Sequence, residues 1–187
     1  MNRPVHILLF LILMMVLPAK AEDQPELPDS EVHLTITQDH WPMTLTARLD
    51  ILAAPEKVWR VISDYDHLFE FLPDIKYSRV TERNGDKIVL EQATETRFLF
   101  FKRTISVKLN LVEKPGEEIA FYSVDGNMEL FSGKWMIKGL EGGKSTRLVY
   151  MLKFKPGFFS PRWVVRHTLD HEIPEQLQRI SRRAQKI

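Results

Sequence analysis

The stretch Ala53-Ala-Pro-Glu-Lys-Val-Trp-Arg-Val-Ile-Ser-Asp-Tyr-Asp-His-Leu-Phe-Glu-Phe-Leu-Pro73 decides how the rest of the chain is read. Before it, Leu45, Ala47, Leu49 and Ile51 alternate with Thr44, Thr46, Arg48 and Asp50, the period of a half-buried strand. Pro55 then sits where a helix begins, because its missing N–H would have no partner in the first turn. Val58, Trp59 and Ile62 supply the apolar stripe of that helix, which ends near Asp64-Tyr65-Asp66. Leu68, Phe69, Phe71 and Leu72 form a second short helical piece, closed by Pro73.

Beyond Ile75 the pattern changes to strands. Ile75 to Glu82 leads to the hairpin signal Asn84-Gly85-Asp86. Lys87 to Phe101 reads as one long strand or a bulged pair, and Ile105, Val107, Leu109 and Leu111 share a face of the next. Turns follow at Lys114-Pro115-Gly116, Asp125-Gly126-Asn127 and Glu141-Gly142-Gly143-Lys144. Between them, Phe131, Gly133, Trp135 and Ile137 share one strand face, and Leu148, Tyr150, Leu152 and Phe154 another. After Pro161 the period lengthens. Val165, Leu169, Ile173, Leu177, Ile180 and Ala184 mark one face of a long helix, with Pro174 inside it as an expected bend. Strands joined by short hairpins make an antiparallel sheet with one apolar face to cover, and this helix is the long apolar surface left to cover it.

The Ala-Pro-x-x-Val-Trp helix start, the Asp-Tyr-Asp turn and the Leu72-Pro73 close resemble the opening of the START-like superfamily, which includes polyketide cyclase/dehydrase and coenzyme Q-binding proteins. Phe98-Leu99-Phe100-Phe101, Gly133-x-Trp135, Tyr150 and the terminal helix extend the resemblance over roughly residues 43–185. It implies an α+β helix-grip fold: a curved antiparallel sheet wrapped around a long C-terminal helix, with two short helices after the first strands. The resemblance also implies an internal cavity for an apolar molecule.

The N-terminus reads as a secretory signal peptide over residues 1–21. Arg3 supplies the positive start, Ile7 to Leu17 is an apolar run of eleven residues, and Ala19-Lys20-Ala21 offers a cleavage site. The run is shorter than the roughly 20 residues of a membrane span. The chain has no Cys, so a cysteine-linked lipid anchor, disulfides and thiolate chemistry are not expected. Residues 22–30 form a polar leader and 31–187 one domain. Without Arg3 and Lys20, the 26 basic residues fall to 24 against 25 acidic ones, net −1. That balance gives no drive toward nucleic acid. The expected location is periplasmic or secreted.

Candidate cavity residues follow from the inward faces and the helix stripe. From the strands come Phe98, Phe100, Phe121, Phe131, Trp135, Tyr150, Leu152 and Phe154; from the helix come Val165, Leu169 and Ile173. Trp41, Tyr65, Phe69, Phe158, Phe159 and Trp163 are candidates for the mouth. Gln92, Thr94, Tyr122 and Tyr150 are the candidate polar groups, as an apolar pocket needs a few to orient its ligand. The adjacent Phe158 and Phe159, next to Gly157, suit a lid or a surface that meets lipid transiently. Asp64 and Asp66 read as turn residues rather than an acid–base pair. His167 and His171 have a metal-ligand spacing but fall about 200° around the helix from Val165 and Leu169, with Asp170 and Glu172 nearby and no third ligand evident. No phosphate-binding glycine loop and no Gly-x-Ser-x-Gly elbow occurs. No catalytic residue, metal or cofactor is expected.

The leading reading is a non-enzymatic binder of a lipid, quinone or similar hydrophobic molecule, with transport as its use. The alternative is a cyclase/dehydrase-type enzyme using the same cavity, which an inward-facing Glu95 or Arg97 would favour. An interaction protein with a filled core is a third possibility.

Overall fold

The computed structural model describes the backbone of residues 31–98 and 101–187 and the side chains of 31–96 and 102–187. The signal peptide and polar leader expected before Glu31, the side chains of Arg97 and Phe98, and Phe100 lie outside the described residues.

Two strands open the fold, β1 (His33–Gln38) and β2 (Met43–Ile51). Helix α1 (Pro55–Ile62) and a 3₁₀ turn (Tyr65–Glu70) follow. Strands β3 (Ile75–Asn84), β4 (Lys87–Phe98), β5 (Phe101–Lys114), β6 (Glu118–Gly126), β7 (Met128–Leu140) and β8 (Ser145–Pro156) lead to helix α2 (Arg162–Lys186). The strands form one antiparallel sheet in the order β1-β2-β8-β7-β6-β5-β4-β3. The chain therefore places β2 beside its last strand, and the two helical pieces between β2 and β3 bridge the opposite ends of the sheet. This is the helix-grip fold: a curved antiparallel sheet, a long C-terminal helix, and two short helical segments after the first strands.

The strand expected over Lys87 to Phe101 ends at Phe98, and the next begins at Phe101, so the reversal falls a few residues earlier than the sequence reading placed it. β4 and β5 pair along their whole length, Lys87 with Val112 through to Phe98 with Phe101. No Gly, Asn or Pro marks the reversal between them, so turn chemistry carried no signal there. The turn at Asn84-Gly85 is as expected, with Gly85 at a φ of 60°.

Pro55 is at the first position of α1, whose buried side chains are Val58, Val61 and Ile62; Trp59 is half-buried. Asp66 accepts a hydrogen bond from the Val80 amide at 2.7 Å, and Asp64 pairs with His67 Nδ1 at 2.6 Å. Asp66 thus ties the 3₁₀ turn to β3, and both carboxylates serve the turn.

Met43, Leu45, Ala47, Leu49 and Ile51 of β2 are fully buried, as are Leu148 of β8 and Leu177 and Ala184 of α2. Helix α2 lies against β1, β2, β4 and α1 and continues through Pro174. Among the described residues no helix is long and apolar enough to cross a membrane.

Candidate functional site

Helix α2 lies across the concave face of the sheet, against β1, β2 and β4. The space between them is a cavity of about 220 Å³. For scale, an apolar cavity of about 150 Å³ takes up benzene. Its wall is built by strand alternation. β4 contributes Leu90, Gln92, Thr94 and Thr96, and β5 contributes Ile105, Val107, Leu109 and Leu111, each two residues apart. Ile119 and Phe121 come from β6, Met128, Phe131 and Trp135 from β7, and Tyr150, Leu152 and Phe154 from β8. Val165, Leu169, Ile173 and Ile180 face them from α2.

An aromatic wall runs across three strands. Trp135 stacks on Tyr150 with ring centroids 4.0 Å apart and planes at 20°. Tyr150 lies 6.3 Å from Phe121, which lies 5.6 Å from Phe131. Gly133 makes room for this wall. It pairs with Phe121 on one side and Leu152 on the other, and a Cβ there would come within 2.8 Å of Phe121 Cζ.

Polar groups are confined to a few places. Gln92, Thr94 and Thr96 form a row on β4, while Thr168, Glu172 and Gln176 form a row four apart on α2. The Thr96 hydroxyl joins the rows, donating to the Glu172 carboxylate at 2.8 and 3.0 Å from its two oxygens. Tyr65 is buried and donates to Glu113 at 2.7 Å. Burial, then the hydrogen bond to Glu113, pushes its phenol well above the usual range. Burial alone does the same to Tyr150. Both phenols are therefore neutral donors at any physiological pH.

Residues 51–181 match the family model described as polyketide cyclase/dehydrase and lipid transport. The chain belongs to that family. Solved structures with the same fold include the Zhui aromatase/cyclase from Streptomyces sp. R1128, at 15% identity, covering 82% of this chain and 95% of that one, with a TM-score of 0.66. The STAR-related lipid transfer protein from Xanthomonas axonopodis matches at 13% identity over 87% of this chain and 97% of its own, with a TM-score of 0.66. Human STARD10 matches at 14% identity over 83% of this chain and 69% of that one, with a TM-score of 0.67. A search of curated protein sequences finds no significant match.

Within this family fold, the candidates Gln92, Thr94, Phe121, Phe131, Trp135, Tyr150, Leu152, Phe154, Val165, Leu169 and Ile173 all sit on the cavity wall, and Phe158 joins them. The mouth candidates divide. Tyr65 is buried and lines the cavity. Phe69 is exposed and outside the lining. Phe159 and Trp163 are 91% and 66% exposed, outside the lining. Trp41 packs edge-on against Phe154 at 5.7 Å.

Tyr122 requires a correction. It follows inward Phe121, so strand alternation sends it to the outer face, where its hydroxyl accepts from Asn110 at 3.0 Å. Glu95 also faces outward, paired with Lys102 at 2.8 Å. Glu172 moves the other way. Grouped in the sequence with the outward His167 and His171, it lies only about 60° around the helix from Leu169, and so reaches the cavity from the flank of the apolar stripe. Thr96, Thr168 and Gln176 were equally unforeseen; a polar row four apart beside the apolar row was the signal in the sequence. His167 and His171 are exposed, with rings 4.6 Å apart. No group of three or more potential metal ligands occurs among the described residues.

Proposed function

We propose that this protein binds a hydrophobic small molecule, such as a lipid or quinone, in the cavity between sheet and α2, and carries it within the cell envelope without transforming it. The observation that carries this reading is the cavity itself: an interior of about 220 Å³ walled mainly by aliphatic and aromatic side chains, with few polar groups. A folded chain gains by filling such space with its own side chains, so a cavity of this size in the middle of the sheet is suited to an occupant.

Phe159 and Trp163 support the carrier role. Phe158 lines the cavity, and its neighbour Phe159 is almost fully exposed. Apolar rings held in water next to the cavity suit brief contact with a lipid surface, from which a hydrophobic cargo would enter. The apolar run Ile7–Leu17 followed by Ala19-Lys20-Ala21 supports export; N-terminal sequencing of the protein isolated from its natural cell checks it.

Native mass spectrometry of the gently purified protein tests the binding role. A stoichiometric apolar adduct is the expected result. A bare protein mass, together with failure to take up any hydrophobic probe, overturns it. The second reading, a cyclase/dehydrase, is favoured by one feature: the Glu172 carboxylate reaches into the cavity and is held by Thr96. Chemical change in a recovered ligand on incubation with the protein, abolished in Glu172→Gln, would support that reading.

A further inference from the structure

The Tyr150 hydroxyl is the one feature of the aromatic wall that packing does not account for. Tyr150 is 7% exposed and lines the cavity from the middle of β8, next to β7. Its ring is used fully, stacked between Trp135 and Phe121. Its hydroxyl donates to no protein group among the described residues, unlike Tyr65, whose hydroxyl is held by Glu113. Ser78 Oγ is the only side-chain atom among the described residues that is both sealed off and without a partner. The Tyr150 hydroxyl is therefore not sealed: it opens onto the cavity.

A buried hydroxyl with no partner costs free energy that a phenylalanine at the same place would avoid, since the stacking needs only the ring. The group makes sense when something in the cavity accepts its hydrogen bond. No accepting group among the described residues reaches it. The phenol stays protonated, so it offers a proton donor and no charge. The described lining residues contain no Lys, Arg or His, and Glu172 is acidic. Among the described lining residues an anionic ligand group would gain no cation.

We infer that Tyr150 is a specificity-determining residue that donates a hydrogen bond to an uncharged acceptor oxygen, a carbonyl or ether, on a ligand whose apolar body lies against Trp135 and Phe121. This rests on the cavity-binding reading above. It adds to it that the cargo is a neutral oxygen-bearing molecule, not a bare hydrocarbon or an acid with its anionic group inside.

Fluorene and 9-fluorenone test it, being flat molecules of nearly one shape that differ by a carbonyl oxygen. Their binding to the wild-type protein and to Tyr150→Phe is measured by quenching of tryptophan fluorescence, together with the infrared carbonyl stretch of bound fluorenone. Wild type is expected to bind fluorenone more tightly than fluorene, with the carbonyl stretch lowered by the hydrogen bond. Tyr150→Phe is expected to weaken fluorenone about tenfold, the worth of one buried hydrogen bond, while leaving fluorene unchanged and abolishing the infrared shift. The ligand-free variant is expected to be as stable as wild type or more so, because no internal partner is lost. Equal binding of fluorenone by both proteins, with fluorene also bound, overturns the role of Tyr150 and leaves the cavity reading standing. Failure of wild type to bind either compound overturns both. A ligand-free Tyr150→Phe protein that is markedly less stable also overturns it, since the hydroxyl would then have an internal partner.

Discussion

Thr96 of β4 and Glu172 of α2 are joined across the cavity by the Thr96 hydroxyl, 2.8 and 3.0 Å from the two carboxylate oxygens. The residues are 76 positions apart in sequence, and the bond fastens the long helix to β4. Thr96 is itself buried. Glu172 is half-buried, and a hydrogen bond to a charged group is worth about 1.5–3 kcal/mol. Thr96→Val, which keeps the shape and removes the donor, is expected to lower stability by that amount in urea unfolding. Thr96→Ser is expected to retain most of it.

Two leucines of α2 separate packing from cavity lining. Leu177 is fully buried and is not part of the cavity wall, whereas Leu169 is half-buried and lines it. Leu177→Ala leaves a void in a filled core and is expected to cost about 2–5 kcal/mol. Leu169→Ala enlarges an existing space and is expected to cost less, while changing the affinity for hydrophobic probes. Denaturant midpoints and probe titrations on the two variants check the contrast.

Gly133 admits no side chain. An added Cβ would lie 2.1 Å from the Met151 carbonyl oxygen and 3.2 Å from Leu152 Cα, both backbone atoms of the neighbouring strand. A flexible side chain could move away, but a paired strand cannot without breaking its ladder. Gly133→Ala is expected to destabilise by several kcal/mol, on the order of the larger overpacking penalties, and to disrupt the Phe121–Tyr150 stack. Thermal unfolding and near-ultraviolet circular dichroism report the two effects.

Asp50 and Arg147 predict an acid-side dependence. The Arg147 Nε and Nη2 donate to the two Asp50 oxygens at 2.8 and 2.7 Å, and this bidentate bond holds the carboxyl below its usual value of 3.8. A carboxyl lowered by folding stabilises fully above its unfolded pKa, and that stabilisation fades as pH falls through the folded one. Both side chains are more than a third exposed, so the contribution is under about 1 kcal/mol. The stability difference between wild type and Asp50→Asn is expected to be constant above about pH 5 and to shrink below it. A difference that grows on acidification would contradict the assignment.

Phe159 and Trp163 are expected to matter for transfer and not for folding. Exposed side chains away from special features change stability by about 0.5 kcal/mol or less. A Phe159→Ser, Trp163→Ser double variant is therefore expected to unfold like wild type. It should bind a soluble hydrophobic probe with unchanged affinity and move a fluorescent lipid between vesicles several-fold more slowly. Equal transfer rates would remove these residues from the carrier role.

The fold was legible because its signals are local. Pro55, the alternation Leu45–Ile51 and the three-and-four spacing from Val165 to Ala184 each follow from the geometry of one element. Once hairpins and one long apolar helix are read, covering the sheet leaves little choice of architecture. The β4–β5 reversal was placed a few residues late because its residues carry no turn chemistry, and Tyr122 was misplaced because a list of inward residues must respect strand parity. Much of the aromatic wall was readable in the same way, since Trp135, Tyr150, Leu152 and Phe154 hold fixed parity on their strands.

Tertiary structure alone decided the polar side of the site. Whether Glu172 faces solvent or the interior depends on how α2 is rotated against the sheet, and a flank residue can go either way. Which polar atoms find partners also depends on neighbours distant in sequence: Tyr65 meets Glu113, Thr96 meets Glu172, and the Tyr150 hydroxyl meets open space. Sequence periodicity determines which face a residue occupies. Only the packed chain determines whether the space before that face is filled.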